Sequence, residues 1–408
     1  MKRVVVIGAG AAGTMAAIFA ATAGAETVLL ERTPNGGRKI LISGGGRCNV
    51  LPSELDETRF VTDSSPNTLR KLVRSWPLAE QRLFFEHEVG VPLVEESESK
   101  KLFPASHKAR DVRDGLLALA RRRGATIHTD THVTDVSPSA TCWNVSCAGA
   151  PAFEADAVII ATGGLSVPMT GSDGTGLRVA ERLGHTVHTT YAALTPLVAT
   201  PSPYASLSGV SLTVTLTTKA TAREASATGG FLFTHIGYSG PSVLDVSHVV
   251  VRSRAEHDDP PARVSVRWTV LGDVEWAARL EPRGGRTVLG AVRAELPDRL
   301  ASALIVSAGV APDRVLSDLE RGERLRLIDT LVRGPLPWTS DEGYKKAEVT
   351  GGGVSLAEID PRTMESRRCP GLYLCGEVLD AFGPIGGYNF LWAWATGRAA
   401  GLGAARPA

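Results

Sequence analysis

Cysteine is scarce in this chain. There are five, Cys48, Cys142, Cys147, Cys369 and Cys375, and no two have CxxC spacing or gather into a metal-ligand set. That argues against a disulfide-built scaffold. An odd number without a secretion signal fits a reducing compartment, so a cytoplasmic protein is expected. Cys142 and Cys147 are an odd number of positions apart, so on one regular strand they face opposite sides and do not bridge. An excess of either charge is also missing. Lys and Arg total 44 against 43 for Asp and Glu, a formal net charge of +1. Long-range attraction then gives no reason to expect a nucleic-acid partner. No apolar run reaches the ~20 residues of a membrane-spanning helix, because Gly24 and Glu26 interrupt the alanine-rich N-terminal stretch. Met1-Lys2-Arg3 imitates a signal n-region, but the glycines behind it open a folding unit instead. A Ser-His-Asp order, a metal cluster and a low-complexity tract are likewise not found.

What is present begins at once. Val4-Val5-Val6-Ile7 reads as a buried strand. Gly8-Ala9-Gly10-Ala11-Ala12-Gly13 follows with dinucleotide-fold spacing. The first glycine permits the tight turn, the second lets backbone approach a pyrophosphate, and the third lets a helix pack on the sheet. A helix over Thr14 to Ala23 would point free N–H groups at that anion. A second strand, Val28-Leu29-Leu30, ends at Glu31. A carboxylate there accepts from both hydroxyls of an adenosine ribose and disfavours a 2′-phosphate.

The run from Arg32 to Asn49 is hard to explain as packing. It holds five glycines together with Arg38, Lys39, Arg47, Ser43, Cys48 and Asn49 in a loop-like segment. Ser43, Gly44, Gly45 and Gly46 offer consecutive backbone N–H groups to a pyrophosphate or a flavin edge. Farther on, Ala157-Val158-Ile159-Ile160 enters Thr162-Gly163-Gly164, whose glycines bring a strand end close to the same dinucleotide. Around Tyr191 the texture changes to alternating strands, followed by a helical pattern from Val288 to about Glu320, broken at Pro297 and Pro312. The tail resumes the first texture. Its strand Gly371 to Cys375 leads into Gly376, Glu377 and Asp380, and the carboxylate of Glu377 or of Asp380 suits ribitol hydroxyls. Gly386-Gly387-Tyr388-Asn389 then opens a helix whose N–H groups can stabilise charge on a reduced isoalloxazine. Trp392 and Trp394 are two apart and read as core packing. The expected domains are 1–190 and 345–408 forming one nucleotide-binding unit, with an inserted β-rich domain over 191–344 and its helical lobe near 288–330. The insertion contains no second glycine fingerprint, so a dedicated nicotinamide domain is not expected.

Five motifs then coincide: GAGAAG (8–13), GGRKILISGGGRCN (36–49), ATGG (161–164), LFTHIGYSGP (232–241) and TMESRRCPGLYLCGEVLDAFGPIGGYNFLWAWATG (363–397). With them the chain resembles, over nearly its whole length, the BaiN/RdsA-like or aminoacetone-oxidase-like family of NAD(P)/FAD-dependent oxidoreductases. The resemblance implies an α/β fold: a Rossmann-like FAD-binding domain of the glutathione-reductase-like superfamily, split by the β-rich insertion. It implies non-covalent FAD, with contacts at Gly8, Gly10, Gly13, Glu31, Lys39, Ser43, Gly44, Arg47, Asn49, Thr162, Gly163, Gly376, Glu377, Asp380, Gly387, Tyr388 and Asn389, and a backbone contact at Val133. Ala12, Arg38, Gly45, Cys48, Gly164 and Gly386 join them as motif neighbours. Activities in the family range from amine oxidation to reduction of unsaturated steroid-like substrates, so its name supplies no substrate. Two local departures bear on the pocket: Ala381-Phe382-Gly383-Pro384-Ile385 replaces a more polar segment, and Tyr238 stands where a smaller apolar residue is usual.

The expected reaction is hydride transfer through flavin N5 with a small organic substrate, NAD(P)H being a candidate transient reductant. His235 is the first candidate for a proton donor or acceptor, since an ordinary pKa of about 6.5 suits that task. Tyr238 and Lys346 rank after it. An FAD-dependent RNA-modifying enzyme and a non-catalytic flavin-binding protein are the alternatives. No metal, nucleic-acid or membrane partner is expected, and the oligomeric state stays open.

Overall fold

The computed structural model describes residues 1–257 and 260–407. Val4, Val5 and Val6 in strand β1 (Arg3–Ile7) have no exposed surface, as a β-branched run covered on both faces requires. β1 pairs in parallel with β2 (Glu26–Leu30) on one side and with Ala157–Ile160 on the other. Leu372–Leu374 and Thr126–His128 complete a parallel sheet in the spatial order Leu372–Leu374, Ala157–Ile160, β1, β2, Thr126–His128. Because these strands run the same way, their carboxyl ends share one edge. Gly8, Glu31, the Thr162 to Gly164 turn and Gly376-Glu377 all follow directly from those ends, the edge where open α/β sheets bind ligands.

Helix α1 (Ala11–Thr22) and the last helix, Tyr388–Ala405, pack on each other. Small residues allow the approach: a Cβ on Gly397 would collide with the Ala12 carbonyl, and one on Gly401 with that of Ala16. Trp392 and Trp394 are both buried in the core, as the sequence led us to expect. A helix over Pro66–Arg74 stops before Pro77, and a second runs Leu78–Leu83. All five cysteines are free, and no helix among the described residues is long and apolar enough to cross a membrane.

The chain divides into two compact units. One comprises Met1–Ala192 with Glu348–Ala408, and the other Ala193–Ala347. The second unit is built on an antiparallel sheet in the order Gly334–Pro335, Arg263–Arg267, Ser211–Lys219, Glu224–Phe233, Gly237–Ser239, Leu197–Val198, Ser340–Asp341. Phe231, Phe233, Tyr238 and Trp268 fill its centre, with Phe231 and Phe233 4.8 Å apart and Phe233 stacked on Trp268 at 5.8 Å. Helix Pro241–Ala255 packs on this sheet. It went unread in the sequence because its valines disfavour helix mildly and are buried on several sides, leaving no clean apolar stripe. The helical run beyond Val288 continues to Arg333, past the expected limit.

Candidate functional site

The three glycines of the first turn answer to different constraints. Gly8 has φ +102°, and a Cβ there would come within 2.7 Å of the Ala161 carbonyl oxygen. A Cβ on Gly13 would collide with the Gly8 carbonyl. Packing alone thus explains these two. A Cβ on Gly10 would meet nothing within 4 Å. Gly10 is also the N-cap of α1 and supplies no side-chain cap, so the helix presents uncapped N–H groups beside open space. Ala12 packs close to Gly376, where an added Cβ would approach the Ala12 methyl at 2.7 Å.

Glu31 is only 8% exposed. Its Oε2 accepts from Ala9 N at 2.9 Å, and its Oε1 from Thr33 N at 2.8 Å and Thr33 Oγ1 at 2.7 Å. The carboxylate is therefore locked against the glycine turn. Its carbonyl accepts from Thr131 N at 2.8 Å, which brings the start of the Val133–Pro138 strand to the same corner. Beside it, Arg32 donates to Asp173 Oδ2 at 2.5 Å. Burial acts to raise the Asp173 pKa, but the Thr175 and Arg32 bonds outweigh it and hold the group at about 2.

The segment after β2 is less of a loop than expected. Gly37, at φ +70°, turns the chain into a short helix, α2 (Arg38–Ile42), which anchors itself through buried Ile40. Arg38 is exposed. Ser43 Oγ donates to the Ile40 carbonyl at 2.8 Å, and Gly44, Gly45 and Gly46 follow with left-handed φ and open surface. Arg47 reaches Glu96 at 3.0 Å and lies 4.2 Å over the Phe103 ring. Cys48 is fully buried, and burial, against a Ser43 hydrogen bond, pushes its thiol up to about 12, which marks an inert packing residue. Asn49 ties this segment to the last helix. With its amide oriented by hydrogen-bond logic, its oxygen accepts from Gly387 N at 2.9 Å and its nitrogen donates to Leu51 O at 3.1 Å.

Lys39 and Glu377, 338 positions apart, meet at the carboxyl edge of the sheet. Lys39 Nζ lies 2.5 Å from Glu377 Oε2 and 2.6 Å from Ser166 Oγ. Glu377 Oε1 accepts from Ser166 Oγ at 2.6 Å, Thr350 N at 3.0 Å and Thr350 Oγ1 at 2.9 Å. Burial acts to raise the Glu377 pKa, but the Lys39 charge and these donors outweigh it and lower the group. Gly164 passes so close that a Cβ would collide with Thr350. Gly163 has φ +73° and packs on Ser172, and Thr162 closes the turn.

At the C-terminal motif, Asp380 is 2% exposed. Its Oδ2 accepts from Asp63 N, Ser64 N and Thr62 Oγ1, each at 2.9 Å, and from Ser64 Oγ at 2.8 Å. Through Oδ2 the carboxylate so pins the segment from Thr62 to Ser64. Gly386 and Gly387 have φ +126° and +91°, and a Cβ on Gly387 would strike the backbone at Leu51. Tyr388 Oη accepts from Asp56 N at 3.2 Å. Asn389 closes the preceding turn by bonding Gly383 N and O, each at 2.9 Å.

Comparison with known proteins now bears on this arrangement. Residues 2–403 match the family described as HI0933-like protein Rossmann domain. The chain belongs to the HI0933-like family. It is accordingly an FAD-dependent oxidoreductase by class, with the Rossmann-like FAD-binding fold. It is 32% identical to a 3-dehydro-bile acid delta(4,6)-reductase of Clostridium scindens, covering 99% of each chain. It is also 32% identical to a ribosomal RNA dihydrouridine synthase of Escherichia coli, covering 96% of this chain and 95% of that one. Among solved structures, a point-mutant form of FrdA from the Escherichia coli quinol fumarate reductase shares the fold at TM-score 0.50 and 15% identity, covering 99% of this chain and 70% of that one.

In this HI0933-like chain the three residues expected to handle protons all lie outside the unit that holds the glycine motifs. His235 is exposed in the turn between Glu224–Phe233 and Gly237–Ser239. Lys346 is exposed after the turn Gly343–Lys345. Tyr238 needs correction. It has no exposed surface, its hydroxyl lacks a partner, and burial raises its pKa well above the ordinary value. Such a group packs the aromatic core and is not set to exchange protons with a pocket. The sequence reading missed Ser166 and Thr350. Both flank motif glycines, Ser166 two residues past Gly164 and Thr350 just before Gly351, and that adjacency was the available signal.

Proposed function

We propose that this chain uses FAD to reduce a carbon–carbon double bond conjugated to a carbonyl in a small organic molecule, with NADH or NADPH as reductant. The observation that carries the reading is Gly10: an added Cβ meets only open space there, whereas Gly8 and Gly13 are required by packing. A spacing kept at all three positions then needs a ligand to account for the middle one. The residues suit FAD. The Gly8 to Gly13 turn and the free start of α1 would take the pyrophosphate, and the fixed Glu31 would take the adenosine ribose. Lys39 and the Gly386 to Asn389 helix start would line the ring side. When bound, FAD supplies hydride exchange at N5. The protein orients the substrate, excludes water and manages the accompanying proton.

The substrate class rests on chemistry common to two relatives. A delta(4,6)-reductase acting on a 3-dehydro-bile acid and a dihydrouridine synthase both add hydrogen across a double bond in conjugation with a carbonyl. The second relative is as similar as the first, so RNA uridine is the second reading. The test is anaerobic stopped-flow work on the purified holoprotein. NADH and NADPH are each mixed with it and bleaching of the oxidised flavin band is followed. The reduced protein is then offered a 3-oxo-Δ4-steroid, other enones and RNA lacking dihydrouridine. Fast reoxidation by enones is expected. Reoxidation by RNA alone would transfer the reading to uridine, and equally slow reaction with every candidate would remove a catalytic role.

A further inference from the structure

Lys101 opens the strand Lys101–Pro104, where it stands opposite Pro52 on one side and Glu96 on the other. Glu96 is its natural counter-charge, since directly opposed residues on an antiparallel pair share a face. Yet Glu96 turns its carboxylate to Arg47, at 3.0 Å from Oε1, and to Ser99 Oγ, at 2.6 Å from Oε2. The adjoining Lys100 pairs with Glu54 at 2.8 Å. The Lys101 ammonium, half-buried, has no hydrogen bond or ion pair among the described residues. Its stem runs beside the turn that opens the last helix. A Cβ built on Gly386 would have Lys101 Cε at 3.8 Å, and no other atom outside the neighbouring chain would be closer. Backbone packing fixes this juxtaposition, because a Cβ on Gly387 would strike Leu51 and Pro52, and Pro52 is the strand partner of Lys101. The helix itself, Tyr388–Ala405, starts without a side-chain cap and so presents its positive end at the same place. The Lys101 charge also reaches Glu348, whose carbonyl accepts from Ser166 Oγ at 3.4 Å on the Lys39 side. Of the basic side chains Lys39, Arg47 and Lys101, the first two are offset by Glu377 and Glu96, and Lys101 is not.

We propose that Lys101 is a ring-side cation: its ammonium meets the edge of the bound flavin that faces the Gly386 to Asn389 helix start, and so favours the reduced cofactor. This rests on the FAD reading above and names the residue that tunes the cofactor there. The physical reason is charge. Hydride from NADH or NADPH brings two electrons and one proton, so the ring gains one negative charge unless a second proton follows. A positive group beside that charge is worth more in a partly enclosed site than in open water. The helix start acts with the same sign. An ion pair such as Lys39 with Glu377 brings its own negative charge and helps less, which leaves the task to the cation without one.

The test compares the full chain, saturated with FAD, as native protein, Lys101→Gln, Lys101→Arg and Lys100→Gln. The midpoint potential is read by dye-coupled titration. Sulfite is the second probe, because it adds to N5 and leaves the same extra charge on the ring. Lys101→Gln is expected to lower the potential by ~30 mV or more, a tenfold change in the equilibrium of a two-electron couple. It should weaken sulfite by a similar factor. Lys101→Arg should restore both, since it keeps the charge. Lys100→Gln removes a neighbouring charge that is already paired, and should change neither. A Lys101→Gln protein with native potential would overturn the proposal. So would an equal shift from Lys100→Gln, which would mark a general surface-charge effect, or a folded Lys101→Arg that restores nothing. The potential decides alone if native protein takes no sulfite. Melts of the apoproteins check folding, and Lys101→Met stands in for a glutamine variant that does not fold. Native protein that binds no FAD would instead defeat the cofactor reading, an outcome visible before any variant is made.

Discussion

Gly10 and Gly13 are the same residue three positions apart, yet the fold asks opposite things of them. At Gly13 a Cβ would overlap the Gly8 carbonyl, so Gly13→Ala should destabilise the chain by about 1–3 kcal/mol or more as backbone is forced apart. At Gly10, with φ −78°, a Cβ strains nothing and touches nothing. Gly10→Ala should leave apo stability within about 0.5 kcal/mol while weakening FAD at least tenfold. Denaturant melts of the apoprotein and fluorescence titration with FAD separate the two effects. A Gly10→Ala variant that binds FAD normally would remove the observation on which the functional reading stands.

At the scale of elements, the segment from Glu358 to Cys369 is stapled to the turn at His185. His185 Nδ1 lies 3.0 Å from Glu358 Oε2 and its Nε2 lies 2.9 Å from Ser366 Oγ. The order Ser-His-Glu imitates a nucleophile site. Ser366 is buried, however, and its oxygen already accepts from the N–H groups of Arg368 at 3.0 Å and Cys369 at 2.8 Å. Its own hydrogen goes to Nε2, and the imidazole proton sits on Nδ1 and is donated to Glu358. Burial lowers the His185 pKa below 6.5, outweighing Glu358. For Glu358 burial acts upward, but the Arg368 and Thr186 bonds prevail and hold it at about 2. In both groups the unfolded chain binds the proton more readily, so stability falls as pH falls. The histidine contribution should be lost as pH drops below about 6.5, and the Glu358 contribution between about 4.5 and about 2. Urea unfolding across this range should show both steps, and His185→Gln should flatten only the first.

The helix pair makes a second prediction at this scale. Gly401→Val would drive a branched side chain into the Ala16 carbonyl and separate α1 from the last helix. A loss of about 1–3 kcal/mol is expected from overpacking. FAD affinity should fall with it, because α1 also carries the glycine turn. Thermal melts and flavin titration of the same variant check both.

For the molecule as a whole, the first unit is assembled from two distant stretches of chain, Met1–Ala192 and Glu348–Ala408. A ligand that binds only the assembled unit should stabilise it by mass action, by ~2.7 kcal/mol at one hundred times its dissociation constant. Added FAD should therefore raise the apoprotein's melting temperature in proportion to the logarithm of its concentration, and riboflavin, which lacks the pyrophosphate, should not. A melting temperature indifferent to FAD would count against the cofactor site in any form.

The sequence by itself determined the parallel strand, the glycine turn, Glu31 at the strand end and the return of the same texture after residue 345, because each is a short-range pattern with one steric meaning. It also determined that the tryptophans of the last helix are core. Tertiary structure decided the rest. That Glu377 meets Lys39 and Ser166, and that Asp380 Oδ2 takes the Thr62 to Ser64 segment, depends on contacts between residues hundreds of positions apart. That Tyr238 is core and His235 exposed depends on the packed sheet, which takes the strand residue Tyr238 inward and leaves His235 in an exposed turn. Local pattern fixes which groups a segment offers, but only the packed chain fixes which of those groups already have a partner, and a hydrogen-bonding site already taken is not free for a ligand.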